Sequence, residues 1–208
     1  GFFLMANSGN SKLVQLLKKK QHWVQCNLNH MAISDAGAKS ISSCVPERCR
    51  IEELNLYLNG ITDDGVDHLK KLLMKPSILR KLDLERNRFS DVGLKSFCAS
   101  LLDDTCLREL SLARNKIFPD GAAALGDALR RGAPLVELNL RRTHPKVEAS
   151  ASCGGWVEAL SGSLLQAVKL RKLDLAENPV GHTGASALAK ALPSTSLEEL
   201  VLYAAELR

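Results

Sequence analysis

Three arginines stand 28 residues apart, at Arg86, Arg114 and Arg142. Two positions beyond them come Arg88, Lys116 and His144, and Arg141 directly precedes the last of the three. A guanidinium presents a planar fork of N–H donors that grips a carboxylate or phosphate with two bonds at once. Arginines recurring at a fixed interval therefore point to capture of anionic groups. Both tyrosines of the chain, Tyr57 and Tyr203, fall one position before this series, and Leu58 follows the first of them. Tyrosine combines a large apolar ring with a polar tip, which favours it at the centres of protein interfaces.

Nothing comparable points to catalysis. The five histidines, His22, His30, His68, His144 and His182, are scattered, and no nucleophile, base and orienting residue share a spacing. The paired acids Asp63-Asp64 and Asp103-Asp104 lie where turn and capping roles suffice. No glycine-rich phosphate loop and no Cys/His metal set occurs, so no cofactor, metal or catalytic residue is expected. Few aromatics accompany the basic residues, which does not suit a groove for single-stranded nucleic acid.

The arginine interval belongs to a longer repeat that must supply the elements carrying these side chains. An apolar block returns seven times: Trp23-Val-Gln-Cys-Asn-Leu28, Ile51-Glu-Glu-Leu-Asn-Leu56, Leu79-Arg-Lys-Leu-Asp-Leu84, Leu107-Arg-Glu-Leu-Ser-Leu112, Leu135-Val-Glu-Leu-Asn-Leu140, Leu170-Arg-Lys-Leu-Asp-Leu175 and Leu197-Glu-Glu-Leu-Val-Leu202. The intervals between first residues are 28, 28, 28, 28, 35 and 27. Counted from the first apolar residue, slots 4 and 6 alternate as in a strand with one buried face, and slots 19, 22 and 23 have helical spacing. Each repeat is thus a strand followed by a helix, and repeats of this length stack into a solenoid with one continuous core.

Slot 9 holds Asn59, Asn87, Asn115 and Asn178, whose amides can bond backbone groups of their own and neighbouring repeats as a buried polar ladder. Slot 15 holds Gly37, Gly65, Gly93, Gly121 and Gly184, with Asp35, Asp63, Asp64, Asp91 or Asp120 shortly before, a pattern of turn and N-cap chemistry at the helix start. The resulting pattern, LxxLxLxxNxLxxxGxxxL, resembles the ribonuclease-inhibitor-like subfamily of leucine-rich repeats over nearly the whole chain. That resemblance implies an α/β horseshoe of about seven repeats, with a parallel inner sheet and outer helices. It also implies an intracellular protein that binds other proteins. The repeats look like those of the nucleotide-binding leucine-rich-repeat receptors of innate immunity. They also resemble the repeats of the GTPase-activating protein of Ran, whose acidic tail is lacking here, and a scaffold subunit of a large assembly is a third possibility.

The chain of 208 residues is 45% apolar and 25% charged with a net charge of +5, an ordinary globular composition whose mild basic excess does not mark a nucleic-acid protein. No apolar run approaches the roughly 18 residues of a membrane span, so no membrane partner is expected. The six cysteines form no paired framework, and Cys26 and Cys44 occupy apolar slots. Both facts favour a reducing compartment, cytoplasm or nucleus. A single domain over residues 1–208 is expected, beginning and ending inside a repeat as a fragment of a longer chain would. The fifth repeat departs from the pattern, with Thr143 at slot 9, Pro145 at slot 11 and seven extra residues before Leu170. The stretch from Thr143 to Gly155 should form a loop before a helix containing Trp156 and Leu160, serving either binding or nothing at all.

In a solenoid, equal slots of successive repeats form columns about 4.8 Å apart. The arginine series is then one column, slot 8, flanked by slots 7 and 10. Two readings remain for it: a docking surface for an acidic or mixed protein partner, or a solvated face balanced by Asp83, Glu85, Glu109 and Glu137. The first predicts binding residues Tyr57, Leu58, Arg86, Arg88, Arg114, Lys116, Arg141, Arg142, His144 and Tyr203, with slots 8 and 10 unanswered by acidic neighbours.

Overall fold

In the computed structural model, each apolar block becomes a strand of three residues at slots 3 to 5. These are β1 (Gln25–Asn27), β2 (Glu53–Asn55), β3 (Lys81–Asp83), β4 (Glu109–Ser111), β5 (Glu137–Asn139), β6 (Lys172–Asp174) and β7 (Glu199–Val201). The structure describes residues 23–44, 50–74, 78–101, 105–143 and 155–203, together with Val14, Gln15, Leu17 and Lys19. All seven strands lie parallel in chain order in one sheet. Pairing runs slot to slot, Leu54 against Leu82, Leu82 against Leu110 and Leu110 against Leu138. The 35-residue interval leaves this register intact, since Leu138 still faces Leu173.

Main-chain bonds continue the sheet beyond the short strands. The slot-6 N–H of one repeat donates to the slot-5 carbonyl of the next, as from Leu56 to Asp83 at 2.8 Å and from Leu84 to Ser111 at 2.9 Å. The slot-8 N–H donates likewise to the slot-7 carbonyl of the next repeat, as from Arg86 to Ala113 at 2.9 Å and from Glu177 to Tyr203 at 3.1 Å. Between these two bonds the chain turns away from the strand direction, and slot 8 pays with a left-handed backbone. His30, Leu58, Arg86, Arg114, Arg142 and Glu177 have φ between 50° and 57°. For residues with a β-carbon that region is sterically costly and is held only by surrounding structure.

Among the described residues, six helices return the chain to the next strand: α1 (Ser34–Cys44), α2 (Asp63–Met74), α3 (Asp91–Ala99), α4 (Pro119–Arg130), α5 (Gly155–Leu164) and α6 (Gly181–Ala191). A 3-10 turn, Leu192–Ser194, follows the last of them. The apolar slots bury their side chains between sheet and helices in one continuous core, which includes Leu54, Leu56, Ile61, Leu69 and Leu73 of the second repeat. Cys26 behaves as a small core hydrophobe, and burial pushes the Cys98 thiol up to about 12. The expected helix of the fifth repeat is α5, where Trp156 is fully buried and its ring N–H donates to the Pro179 carbonyl at 3.1 Å. The inserted stretch from His144 to Gly154 lies outside the described residues.

Slot 9 forms the expected ladder. Asn59, Asn87, Asn115 and Asn178 are all buried. Each donates to the slot-6 carbonyl of the preceding repeat, Asn87 to Leu56 at 3.0 Å, Asn115 to Leu84 at 2.9 Å and Asn178 to Leu140 at 2.7 Å. Thr143 keeps half of this chemistry, its hydroxyl donating to Leu140 of its own repeat at 2.8 Å. The Asn115 side-chain oxygen finds no partner among the described residues, so the rung between the third and fourth repeats is incomplete.

The Asp and Gly slots serve a different purpose from the one their spacing suggests. Asp63 does not cap its own helix; its carboxylate accepts from the N–H and hydroxyl of Ser90, at 2.7 and 2.8 Å, where the next helix begins. Asp35 treats Thr62 in the same way, and Asp91 accepts the Phe118 N–H at 2.8 Å. The slot-15 glycine makes room for that carboxylate. A β-carbon at Gly65, Gly93 or Gly121 would stand 2.2, 2.5 or 2.4 Å from the aspartate oxygen of the repeat before. The couple ends at the fourth repeat, where Pro119 occupies the aspartate slot immediately before the irregular fifth repeat.

Candidate binding surface

Slots 4 and 6 face the helices, which leaves slots 3, 5, 7 and 8 on the opposite side of the sheet. Slot 3 runs Gln25, Glu53, Lys81, Glu109, Glu137, Lys172 and Glu199 across the strands. Lys81 pairs with Glu109 at 2.6 Å and Lys172 with Glu199 at 2.9 Å, and each partner raises the lysine pKa. Glu109 and Glu137 stand side by side in register. Slot 5 is committed to the backbone: Asn55, Asp83, Asn139 and Asp174 each accept the N–H two residues on, at 2.8 to 2.9 Å. Such turns end the strands and tie up one side-chain oxygen of each residue.

Lys81, Asp83, Glu85, Glu109, Ser111, Glu137, Lys172 and Asp174 line a hollow of about 280 Å³ over the middle strands. Acids outnumber lysines in it. Burial, the largest cause, pushes the carboxyls of Asp83 and Glu85 above the usual range, and Asp83 adds to the shift at Glu85.

The predicted residues at slots 7, 8 and 10 are not part of this lining, and those among the described residues divide into three groups. Tyr57 is half-buried, and its hydroxyl accepts a bond from Arg86 Nη1 at 3.0 Å. Leu58 beside it is half-exposed. Arg88 and Lys116 are exposed and make no ion pair among the described residues. Arg114, Arg141 and Arg142 converge on Glu177, which occupies slot 8 of the sixth repeat. Arg141 grips Glu177 Oε1 through Nε at 2.9 Å and through Nη2. Arg142 Nη1 lies 3.6 Å and Arg114 Nη2 4.0 Å from Glu177 Oε2, and Arg114 Nε lies 3.3 Å from Glu85. Tyr203 caps the group, with the Arg141 guanidinium 5.1 Å from its ring centroid. The bond from Arg141, followed by the charges of Arg114 and Arg142, holds the Glu177 carboxyl below the usual glutamate range. His144 lies outside the described residues.

Slots 8 and 10 are therefore only partly unanswered. Arg86, Arg88 and Lys116 have no acidic partner among the described residues, whereas Arg114, Arg141 and Arg142 share Glu177. Glu177 is the residue that the charge pattern passed over. Its signal was its own position, an acid in the column that three arginines share.

Comparison with known proteins agrees with this architecture. The family model for the leucine-rich repeat matches residues 50–70, 76–98, 103–126 and 166–189. No curated protein matches the chain significantly. Among solved structures, the tropomodulin C-terminal domain of Caenorhabditis elegans is similar at 18% identity with a TM-score of 0.57, covering 76% of this chain and 92% of that one. The actin-binding site 2 of leiomodin-1 has a TM-score of 0.58 at 13% identity, covering 78% of this chain and 90% of its own. A complex of TLR13 with ssRNA13 has a TM-score of 0.51 at 18% identity, covering 96% of this chain and 27% of that one. With four segments matching the repeat and seven parallel strands stacked slot on slot, the chain is built as a leucine-rich-repeat solenoid.

Proposed function

We propose that the chain is a protein-interaction module that binds a partner of mixed charge across the open face of its sheet. One observation carries this reading: charge on that face is left unbalanced in two places of opposite sign. Acids outnumber lysines in the hollow over the middle strands, and the cations Arg86, Arg88 and Lys116 at slots 8 and 10 have no acidic partner among the described residues. An acidic surplus beside cations without an acidic partner steers and orients a partner that carries both signs. In its wider setting the module would be the sensing or regulatory region of a larger intracellular protein of the innate immune receptor kind, a reading supported by the repeat pattern.

The test selects peptide ligands on the intact chain by display and measures their affinity as a function of salt. Changing Arg86, Arg88 and Lys116 together to alanine should weaken binding about tenfold or more at low salt and flatten the salt dependence, since an exposed cation loses its reach beyond a Debye length of about 10 Å at 0.1 M salt. Alanine at the exposed helix residues Lys39 and Lys190 should change neither. Equal affinity for the triple variant and the parent at low salt refutes the reading.

A further inference from the structure

Across slots 7 and 8 the third to sixth repeats bring together four guanidinium groups, of Arg86, Arg114, Arg141 and Arg142, and two carboxylates, of Glu85 and Glu177. Two positive charges are left over. The geometry is equally uneven. Only Arg141 reaches Glu177 at hydrogen-bond length, while Arg142 and Arg114 stop at 3.6 and 4.0 Å from the same oxygen. Charge-assisted bonds of this type settle at about 2.7–2.9 Å when the donors are free to close, so both guanidiniums keep donors without a bonded acceptor at Glu177. Arg142 is half-exposed, its side chain 55% accessible, and can reach a group arriving from solvent. Tyr203 lies against Arg141 and Glu85 against Arg114, so two of the three side chains are already held in place.

We propose that Arg114, Arg141 and Arg142 form an anion-binding site for a side-chain carboxylate of an acidic protein segment, and that Glu177 holds this site in the free chain. The inference rests on the interaction reading above and names the chemistry of the partner at one part of the face. An incoming carboxylate takes the open donors of Arg142 and Arg114, while Arg141 stays on Glu177 or exchanges to the newcomer. Glu177 then sets a threshold: a partner must outcompete a tethered carboxylate, which excludes weakly acidic surfaces and admits clustered acids. The depressed Glu177 carboxyl fits this occupancy, because it is the charged form that the arginines hold.

The test titrates poly-L-glutamate onto the full chain and its Glu177→Gln variant at low salt, with a single-stranded oligonucleotide of equal charge in parallel. Glutamine preserves size and removes the competing charge, and unfolding curves confirm that both proteins are folded. Glu177→Gln should bind poly-L-glutamate about tenfold more tightly, the combined weight of three partly exposed ion pairs. Adding Arg114→Ala and Arg142→Ala should erase that gain. A purely structural role for Glu177 predicts unchanged or weaker binding, and that result overturns the proposal. So does a gain that survives loss of both arginines, which would reflect net charge alone, or a gain seen only with the oligonucleotide. Failure here beside a positive result for the Arg86, Arg88 and Lys116 variant removes this site and leaves the interaction module standing.

Discussion

Gly93→Ala probes the joint between repeats, because helix propensity and packing give opposite answers there. Propensity favours alanine by up to about 1 kcal/mol. Packing opposes it: the new β-carbon would stand 2.5 Å from Asp63 Oδ1 and 3.0 Å from the Asp63 α-carbon. Rotating the carboxylate relieves only the first contact. It also forfeits three bonds, from Ser90 N–H at 2.7 Å, the Ser90 hydroxyl at 2.8 Å and Gly93 N–H at 3.0 Å. At about 1 kcal/mol net for each, the loss is about 3 kcal/mol. After the propensity gain is deducted, Gly93→Ala should cost about 2 kcal/mol. In a domain of this size that lowers the melting temperature by roughly 4–8 °C. Asp63→Ala removes the same three bonds and should cost about 3 kcal/mol alone. Bonds can be lost only once, so the double variant should fall short of the additive cost by about 3 kcal/mol, the weight of the three shared bonds. Urea unfolding of the four proteins closes the cycle. Additive costs, or a Gly93→Ala protein more stable than the parent, would refute the coupling of the two slots.

Two further predictions concern charge on the open face. Asp83→Asn should stabilise the fold by roughly 0.5 kcal/mol at neutral pH, because asparagine can accept the Glu85 N–H as Asn55 accepts that of Tyr57, without a half-buried charge. A carboxyl raised by folding penalises the fold once ionised, so this gain should vanish when the pH is lowered below the usual aspartate range, as denaturation at two pH values will show. Glu177 has the opposite sign: its carboxyl is lowered by folding, so its stabilising contribution is fully present above the unfolded glutamate value and lost as pH falls through the folded one. The stability difference between the parent and Glu177→Gln should therefore be constant at neutral pH and close in acid, which thermal melts across that range can follow.

The period carried the architecture. Because Leu54, Leu82, Leu110 and Leu138 recur at one interval, parallel pairing slot to slot follows with no further information, and the buried asparagines follow with it. The glycine slot shows where that legibility stops. Its recurrence was plain, but its cause is an aspartate of the preceding repeat, and a contact across repeats leaves no trace in the local pattern that suggests a turn. The same holds for the arginines. Their column was readable, whereas the closure of Arg141 on Glu177 depends on side-chain rotamers and on an acid 36 residues away. Left-handed backbone at Leu58, Arg86 or Glu177 was likewise hidden, since none of these residue types announces it. The bond from slot 8 to the next repeat imposes it.

That imposed conformation sets fold and recognition against each other at a single column. Side chains at slot 8 stand on the open face, yet each sits where glycine would relieve the backbone by about 1 kcal/mol. Selection for thermal resistance alone would replace Arg86, Arg114 and Arg142 with glycine or asparagine and strip the surface of its cations. Their presence at left-handed positions is a stability sacrifice that the scaffold tolerates, and the same positions are where a designer could recover heat resistance at the expense of binding.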